Sequence, residues 1–435
     1  MRIFVGLTEV SGYYAGLKKG FDELGIESYF VSLQEHPFKY HYPEKLHAIY
    51  RFSRFCVTKR VKKINADSEQ KWFWTGLVLI SRLLLFIWAL FKFDVFLMGG
   101  GSTFFRFAEF PILKLFGKKI IYTFHGTDAR PAYIDGFCEG VIDMSEKGDK
   151  DLTVDTYVRV AKKRQKDVKN VERYAHIIVN APPQAQFLTK SFVIGLVIGL
   201  PVQNNSKIDS VSAQVGNGTV RILHSPSQLE GKGTKEIRKA IKNLINKGYE
   251  IDYIEISGKP NFEILAEVAR CDFVVDQLYS DSPMAGFACE AAFSGKPAVV
   301  GGYYSQFIKN DLKTEWIPPS LFCLPENIEQ AIEKLVMDKK FRVELGQRAQ
   351  NFVRKNFSAK IVASKYLQLI NDDYPKSWLY EPRRIRYLHG MGLPEKKIKK
   401  IIKAIIAKYG PQALSLKDKP GLEDAFVKFA NGDKS

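Results

Sequence analysis

Cysteine is scarce in this chain, five in 435 residues, and Cys56, Cys138, Cys271, Cys289 and Cys323 stand far apart with no C-x-x-C and no His/Cys ligand spacing. That distribution excludes a disulfide-stapled scaffold and a structural zinc site, and it fits a reducing compartment. The opening residues "MRIFVGLTEVSG" have too short an apolar core and too early a glycine for a secretory signal, and read as a first β-strand. There is no solenoid-type repeat and no long low-complexity tract. Long apolar runs are equally rare, and one stands out: "WFWTGLVLISRLLLFIWALF", Trp72 to Phe91. It is long enough to span a bilayer, but Arg82 at its centre would cost about 2.5–3.5 kcal/mol there, and the strand-like "KFDVFLMGGG" follows at once. The run therefore reads as a helix buried in the body of the protein rather than one that faces a membrane.

A chain of this length, 46% hydrophobic, is too long for one core; domains of roughly 100–200 residues make it two or three. Its 65 Lys and Arg against 47 Asp and Glu leave a formal net charge of +18. Such a surface draws anions: nucleic acid, an anionic membrane face or a phosphate-bearing small molecule.

Strand-like and helix-like patterns alternate along the first part: "RIFVGL", "ESYFVSL", "DVFLMG", "KIIYTFHG" and "HIIVNA" are separated by helical stretches. This is the pattern of parallel βαβ units. A polar, helix-rich insertion runs from about Asp128 to Tyr174, and "PVQNNSKIDSVSAQVGNG", Pro201 to Gly218, has the Asn, Ser and Gly content of a linker. A second βα series follows with "VRILHSP", "IDYIEISG", "FVVDQL" and "PAVVGG"; one of its helices shows a clean apolar face at Ile328, Ala331, Ile332, Leu335 and Val336. The expected fold class is α/β, two Rossmann-like doubly wound domains facing a central cleft. The expected boundaries are an N-terminal domain over residues 1–200, a linker over 201–218, a second domain over 219–372 and a basic helical tail over 373–435.

Chemistry concentrates at two strand-to-turn junctions, "KIIYTFHGTDAR" (Lys119 to Arg130) and "GFACEAAFSGKPAVV" (Gly286 to Val300). Glu290 falls in the first turns of a helix after "SPMAG", so the free amides of that turn can cradle an anion while the carboxylate accepts hydroxyl hydrogens. A glutamate at a helix start is often only a partner of the macrodipole, yet Phe287, Ala288, Cys289, Ala291, Ala292 and Phe293 make an apolar setting in which an unliganded carboxylate is costly. Lys232, between Gly231 and Gly233, places a point charge where the backbone can approach phosphates closely, or it is simply a solvated lysine at a helix start. His125 and Gly126 end a strand with Asp128 and Arg130 close behind. A lone histidine there is as often structural, but the polar cluster favours a cleft position. Gly12 and Gly16 sit in the first βα turn without the G-x-G-x-x-G spacing, and a plain tight turn explains them nearly as well.

Taken together, "GFACEAAFSGKPAVV", "LHSPSQLEGKGT" and "TFHGTDAR" resemble the donor-site motifs of the family 4 retaining glycosyltransferases of GT-B fold, closest to bacterial exopolysaccharide and lipopolysaccharide sugar transferases, over roughly Met1 to Asp372. The resemblance implies transfer of a hexose from a nucleotide-diphosphate sugar to a lipid-linked glycan precursor, with retention of anomeric configuration, no cofactor and no obligatory metal. It implies roles for residues as well. Glu290 matches the second glutamate of the E-x7-E motif, which holds ribose hydroxyls; Lys232 matches the lysine that neutralises the diphosphate; His125 matches a histidine that reaches donor-sugar hydroxyls from the opposite domain. Gly12, Gly126, Ser227, Gln228, Gly233, Ala285, Gly286 and Phe287 fall on the loops around donor and phosphate. Two departures stand out. The first glutamate of the motif falls on Ser282, with Asp281 beside it, and the arginine that usually precedes the lysine is replaced by Gln228 or Leu229. These departures motivate a different class of reading, a non-catalytic partner subunit on the same shell; a nucleotide-sugar epimerase is a third. The D-x-D at Asp149, Lys150 and Asp151 sits in a polar charged stretch and reads as surface composition.

In the tail, Ile398, Ile401, Ile402, Ile405 and Ile406 form one stripe, and Lys396, Lys397, Lys399, Lys400, Lys403 and Lys408 crowd the rest. The pattern suits either an anionic membrane surface or a helix docked on the catalytic domains. A helix-turn-helix with Gly390 and Gly392 in its turn, touching nucleic acid, ranks below both. The expected location is cytoplasmic, peripheral on the inner face of the membrane.

Overall fold

The computed structural model describes residues 1–34, 36, 46–138, 153–202 and 218–432. Two parallel sheets organise it. In the first lobe β1 (Ile3–Leu7), β2 (Ser28–Ser32), β3 (Val95–Gly99), β4 (Lys119–Thr123), β5 (Ile177–Asn180) and β6 (Phe192–Ile194) lie in the order β6-β5-β4-β3-β1-β2. In the second lobe β7 (Val220–His224), β8 (Ile251–Glu255), β9 (Phe273–Val275), β10 (Ala298–Gly301) and β11 (Leu321–Cys323) lie in the order β11-β10-β9-β7-β8.

The strands read as continuous apolar runs because both faces of each sheet are covered. Neighbouring residues of β1 enter different cores: Phe4 packs on one side with Phe96 and Tyr122, Ile3 and Val5 on the other with Leu17 and Ile121. The second sheet repeats the device. Ile222, Val275 and Val299 point to one layer, and Leu223, Val274 and Val300 to the other.

The chain crosses back to the first lobe earlier than the expected boundary at residue 372. The helix Ala359–Ile370 packs on the helix Tyr13–Glu23, and Val362, Ala363 and Tyr366 join the core of Ile3 and Val5. Gly20 allows this approach, since a Cβ there would stand 2.0 Å from the Ala359 carbonyl oxygen. β12 (Leu379–Tyr380) then pairs antiparallel with β6 as the seventh strand of the first sheet. An apolar helix face shows in sequence, but nothing in the pattern says which sheet covers it. Most of the expected linker, residues 203–217, lies outside the described residues.

The basic tail docks on the protein. The helices Glu395–Tyr409 and Pro420–Asn431 pack together against the first lobe, with Ile398, Ile402 and Ile405 fully buried and Tyr133 donating a 3.0 Å hydrogen bond to the Leu414 carbonyl. The isoleucine stripe is therefore used internally and is not free to enter lipid. Gly390 and Gly392 precede this helix in an interlobe segment and form no helix-turn-helix.

The long apolar helix departs from expectation in the other direction. It runs over Lys71–Lys92 and buries only one face, Val78, Leu85, Phe86, Ala89 and Leu90, while Trp72, Phe73 and Phe91 are 74%, 66% and 69% exposed. Arg82 lies partly buried at the side, near Glu109, so its charge does not interrupt the exposed face.

Candidate active site

In doubly wound sheets ligands settle at the carboxyl ends of strands, and these ends supply the candidate residues here. β1 leads into Gly12, whose φ of 82° lies in the left-handed region and turns the chain into the helix Tyr13–Glu23. The buried Glu9 carboxylate accepts the backbone N–H groups of Val10, Tyr14 and Ala15 at 2.7, 3.2 and 2.8 Å. Those opening amides are thus satisfied from within, and this turn offers no amide cradle.

At the end of β4, His125 sits edge-on to Tyr13 and Tyr14, with ring centroids 4.9 and 5.5 Å away, and its Nε2 is 3.0 Å from the Tyr14 hydroxyl. Burial lowers its pKa to about 4, so the imidazole is neutral near pH 7. Its backbone N–H donates to Asp128, whose carboxyl burial raises to about 6. Gly126 donates to the Gln184 side-chain oxygen at 3.0 Å.

The second lobe presents Lys232 at the end of a short turn of helix. Its ammonium donates to the Gln277 side-chain oxygen at 2.6 Å and lies 3.7 Å from Asp276, a carboxylate at the end of β9 that is 1% exposed. Gly233 turns the chain at φ 69° hard against Leu278, where a Cβ would stand 2.5 Å from that side chain. Glu290, on the helix Gly286–Phe293, accepts from Asn261 at 2.9 Å; desolvation raises its pKa to about 7 against the lowering effect of that hydrogen bond, and the charge of Asp276 adds a smaller upward push. Ala285 caps this helix in an extended conformation with no side-chain cap, leaving the first-turn amides of Gly286 and Phe287 without an intrahelical partner.

The two lobes meet at these elements. A Cβ on Gly286 would lie 4.0 Å from Ser11 Cβ, so the glycine turn of the first lobe faces the amide end of the second-lobe helix. Arg130 and Asp281 form an ion pair across the lobes, 0% and 5% exposed, and Gln184 donates to the same carboxylate at 3.2 Å. The second guanidinium nitrogen of Arg130, Nη1, is buried with no partner. The segment before the tail helix threads between the lobes: the Met391 N–H donates to the Ile134 carbonyl at 3.2 Å, and the Gly392 N–H to the Tyr279 carbonyl at 2.9 Å.

Of the residues singled out in sequence, Lys232, Glu290, Ala285, Gly286 and Phe287 gather on the second lobe opposite Gly12, while His125 and Gly126 stand with Asp281 around the Arg130 and Gln184 contacts. Ser282 turns its hydroxyl to the Met284 carbonyl at 3.2 Å. Ser227 and Gln228 lie exposed ahead of the lysine turn. Asp149, Lys150 and Asp151 fall outside the described residues. Sequence reasoning passed over Asp276, Gln277, Asn261 and Gln184. Asp276 and Gln277 directly follow a strand in "FVVDQL", and Gln184 comes four residues after β5, so the strand-end rule was the signal available for three of them.

An ionisation test follows from Glu290. Its folded value of about 7 lies above the ordinary 4.5, so the folded protein holds a proton that the unfolded chain releases, and this contribution to stability is lost as pH rises from about 4.5 to about 7. Urea melts of the Glu290→Gln variant should lose that part of the decline between about pH 4.5 and about pH 7. A wild-type profile equal to that of the variant would refute the assignment.

Two parallel doubly wound sheets with a polar site where their strand ends meet define the GT-B fold of glycosyltransferases. Among solved structures the chain resembles the UDP-forming α,α-trehalose-phosphate synthase of Burkholderia xenovorans, at TM-score 0.52 and 12% identity over 85% of this chain and 99% of that one. It also resembles Anabaena Alr3699/HepE in complex with UDP and glucose, at TM-score 0.47 and 12% identity over 85% of this chain and 98% of that one. In sequence it is 25% identical over 151 residues to the uncharacterized glycosyltransferase MJ1069 of Methanocaldococcus jannaschii, a match covering 32% of this chain and 34% of that relative. No family model matches the chain.

Proposed function

We propose that the protein transfers a hexose from a nucleotide-diphosphate sugar to a lipid-linked glycan precursor, with retention of anomeric configuration, at the cytoplasmic face of a membrane. The observation that carries this reading is the Lys232, Asp276 and Glu290 array beside the uncapped amides of Gly286 and Phe287. Lys232 and these amides meet the negative charge that grows on the departing diphosphate, without an obligatory metal. Glu290 accepts ribose hydroxyls once ionised. The neutral His125 offers a ring nitrogen to a donor-sugar hydroxyl from the first lobe.

Arg130 pairing with Asp281 favours a second reading, a shell that binds donor and does not transfer, because the carboxylate nearest Ser282 is already engaged. A panel of nucleotide-diphosphate sugars, scored by nucleotide release with crude membrane lipid as acceptor source, separates the two. Transfer is expected to release nucleotide only with acceptor present, and to continue in the presence of a chelator. Ligand-linked thermal stabilisation without release would select the second reading, and neither response would remove the donor assignment.

A further inference from the structure

The exposed face of the helix Lys71–Lys92 is apolar from end to end. Phe73, Leu79, Ile80, Leu83, Ile87 and Phe91 recur at helical spacing on one side, each at least 42% exposed, along 22 residues or about 33 Å. The face continues onto its neighbours. Trp74 lies 5.8 Å from Phe55 of the antiparallel helix Ala48–Asn65, and Phe91 lies 6.1 Å from Phe116, which follows the helix Phe110–Leu115 whose Leu115 is 83% exposed. Isolated apolar residues on a surface mean nothing, but a continuous line of large ones marks a docking site.

The charge around the face identifies what it meets. The helix Ala48–Asn65 carries Arg51, Arg54, Lys59, Arg60, Lys62 and Lys63 and no carboxylate. Lys71 and Lys92 bracket the apolar helix, and Lys114 lies on the third helix. Acids near the face are outnumbered: Asp67 is paired with Lys71, Asp94 with the N-terminal ammonium, Glu109 is buried, and Glu69 stands exposed in the turn before the apolar helix. An apolar stripe rimmed by cations complements acyl chains under anionic headgroups. A second copy of the chain would set this cationic rim against itself. A spanning orientation fails too, because Leu85 and Ala89 on the opposite face are fully buried in the first-lobe core and would have to be torn from it.

We propose that this three-helix face is a monotopic docking surface for an anionic bilayer, with the helix Lys71–Lys92 lying in the plane of the headgroup layer. The docking does not rest on sugar transfer, and its test uses no donor. The full chain is sedimented with vesicles of phosphatidylcholine alone and of phosphatidylcholine with phosphatidylglycerol. Binding is expected to the anionic vesicles and to be much weaker on the neutral ones, with the Trp72 and Trp74 emission moving to shorter wavelength and quenched by brominated acyl chains. The variant Leu79→Ser/Leu83→Ser/Ile87→Ser is expected to lower partitioning about tenfold or more while its melting and far-ultraviolet spectrum stay unchanged, since all three side chains are exposed. Lys396→Glu/Lys400→Glu/Lys403→Glu in the docked tail is expected to bind as wild type. Absence of wild-type binding to anionic vesicles, loss of binding in the tail variant alone, or a solution dimer dissolved by the serine substitutions would each overturn the proposal; the last would place a second copy on the face.

Discussion

Replacing Lys232 by methionine is expected to lower nucleotide release by about 10²–10³-fold, the effect of removing one pre-set group from a developing negative charge. The ammonium is held by Gln277 and Asp276 on a turn fixed by Gly233, so no reorganisation is needed when the diphosphate departs. A single substitution also strips Asp276 of its nearby cation, and that carboxylate is 1% exposed with Oδ2 already unpartnered. Lost stability would then mimic lost catalysis. The double variant Lys232→Met/Asp276→Asn separates them: it is expected to regain the stability of the wild type in urea melts and to stay as slow as the single variant. Recovery of turnover in the double variant would show that Lys232 acts only by neutralising Asp276.

The architecture was legible because both sheets are built from apolar strands at βαβ spacing, and strands such as "RIFVGL" and "VRILH" carry that signal within a few residues. The site was legible in part for the same reason: Lys232, Glu290 and His125 follow strands or open helices. What sequence could not reveal were relations between distant segments. Gly20 and Ala359 touch across more than three hundred positions, and only the folded chain shows that the helix Ala359–Ile370 belongs to the first lobe. The two amphipathic segments show the limit from opposite sides. An isoleucine stripe ringed by lysines suits a membrane surface and a docked helix equally in sequence and is docked, with Ile398, Ile402 and Ile405 buried, whereas an almost wholly apolar helix reads as core and keeps one face in the open. Periodicity reports that an apolar face exists, not what covers it, and a helix apolar on all sides gives no hint of which side is free.

The same limit applies to Asp281. Sequence alignment with the donor motif places it one residue from Ser282, as a substitute for the missing glutamate, whereas in the fold its carboxylate closes on Arg130 of the other lobe. Its use as a sugar ligand would require that contact to open, so the pair is first a structural fastening between lobes.

Removing that fastening from one side should be the most destabilising single change in the site. Arg130→Met leaves the buried Asp281 carboxylate with Gln184 as its remaining side-chain donor, and breaking a buried pair in this way costs about 3–5 kcal/mol. The loss comes from desolvated charge rather than from the contact itself, so Arg130→Met/Asp281→Leu, which removes both charges and keeps apolar volume, is expected to recover most of it in urea unfolding. The partnerless Nη1 of Arg130 gives the reverse substitution the same direction: Asp281→Leu alone strands a guanidinium already short of acceptors, and it should lose at least as much stability as Arg130→Met. If instead both single variants unfold at wild-type urea concentration, the pair is solvated in solution and the lobes are not fastened there. Asp281 would then be free to hold a donor sugar, and a raised KM for the donor in Asp281→Asn would be the sign of it.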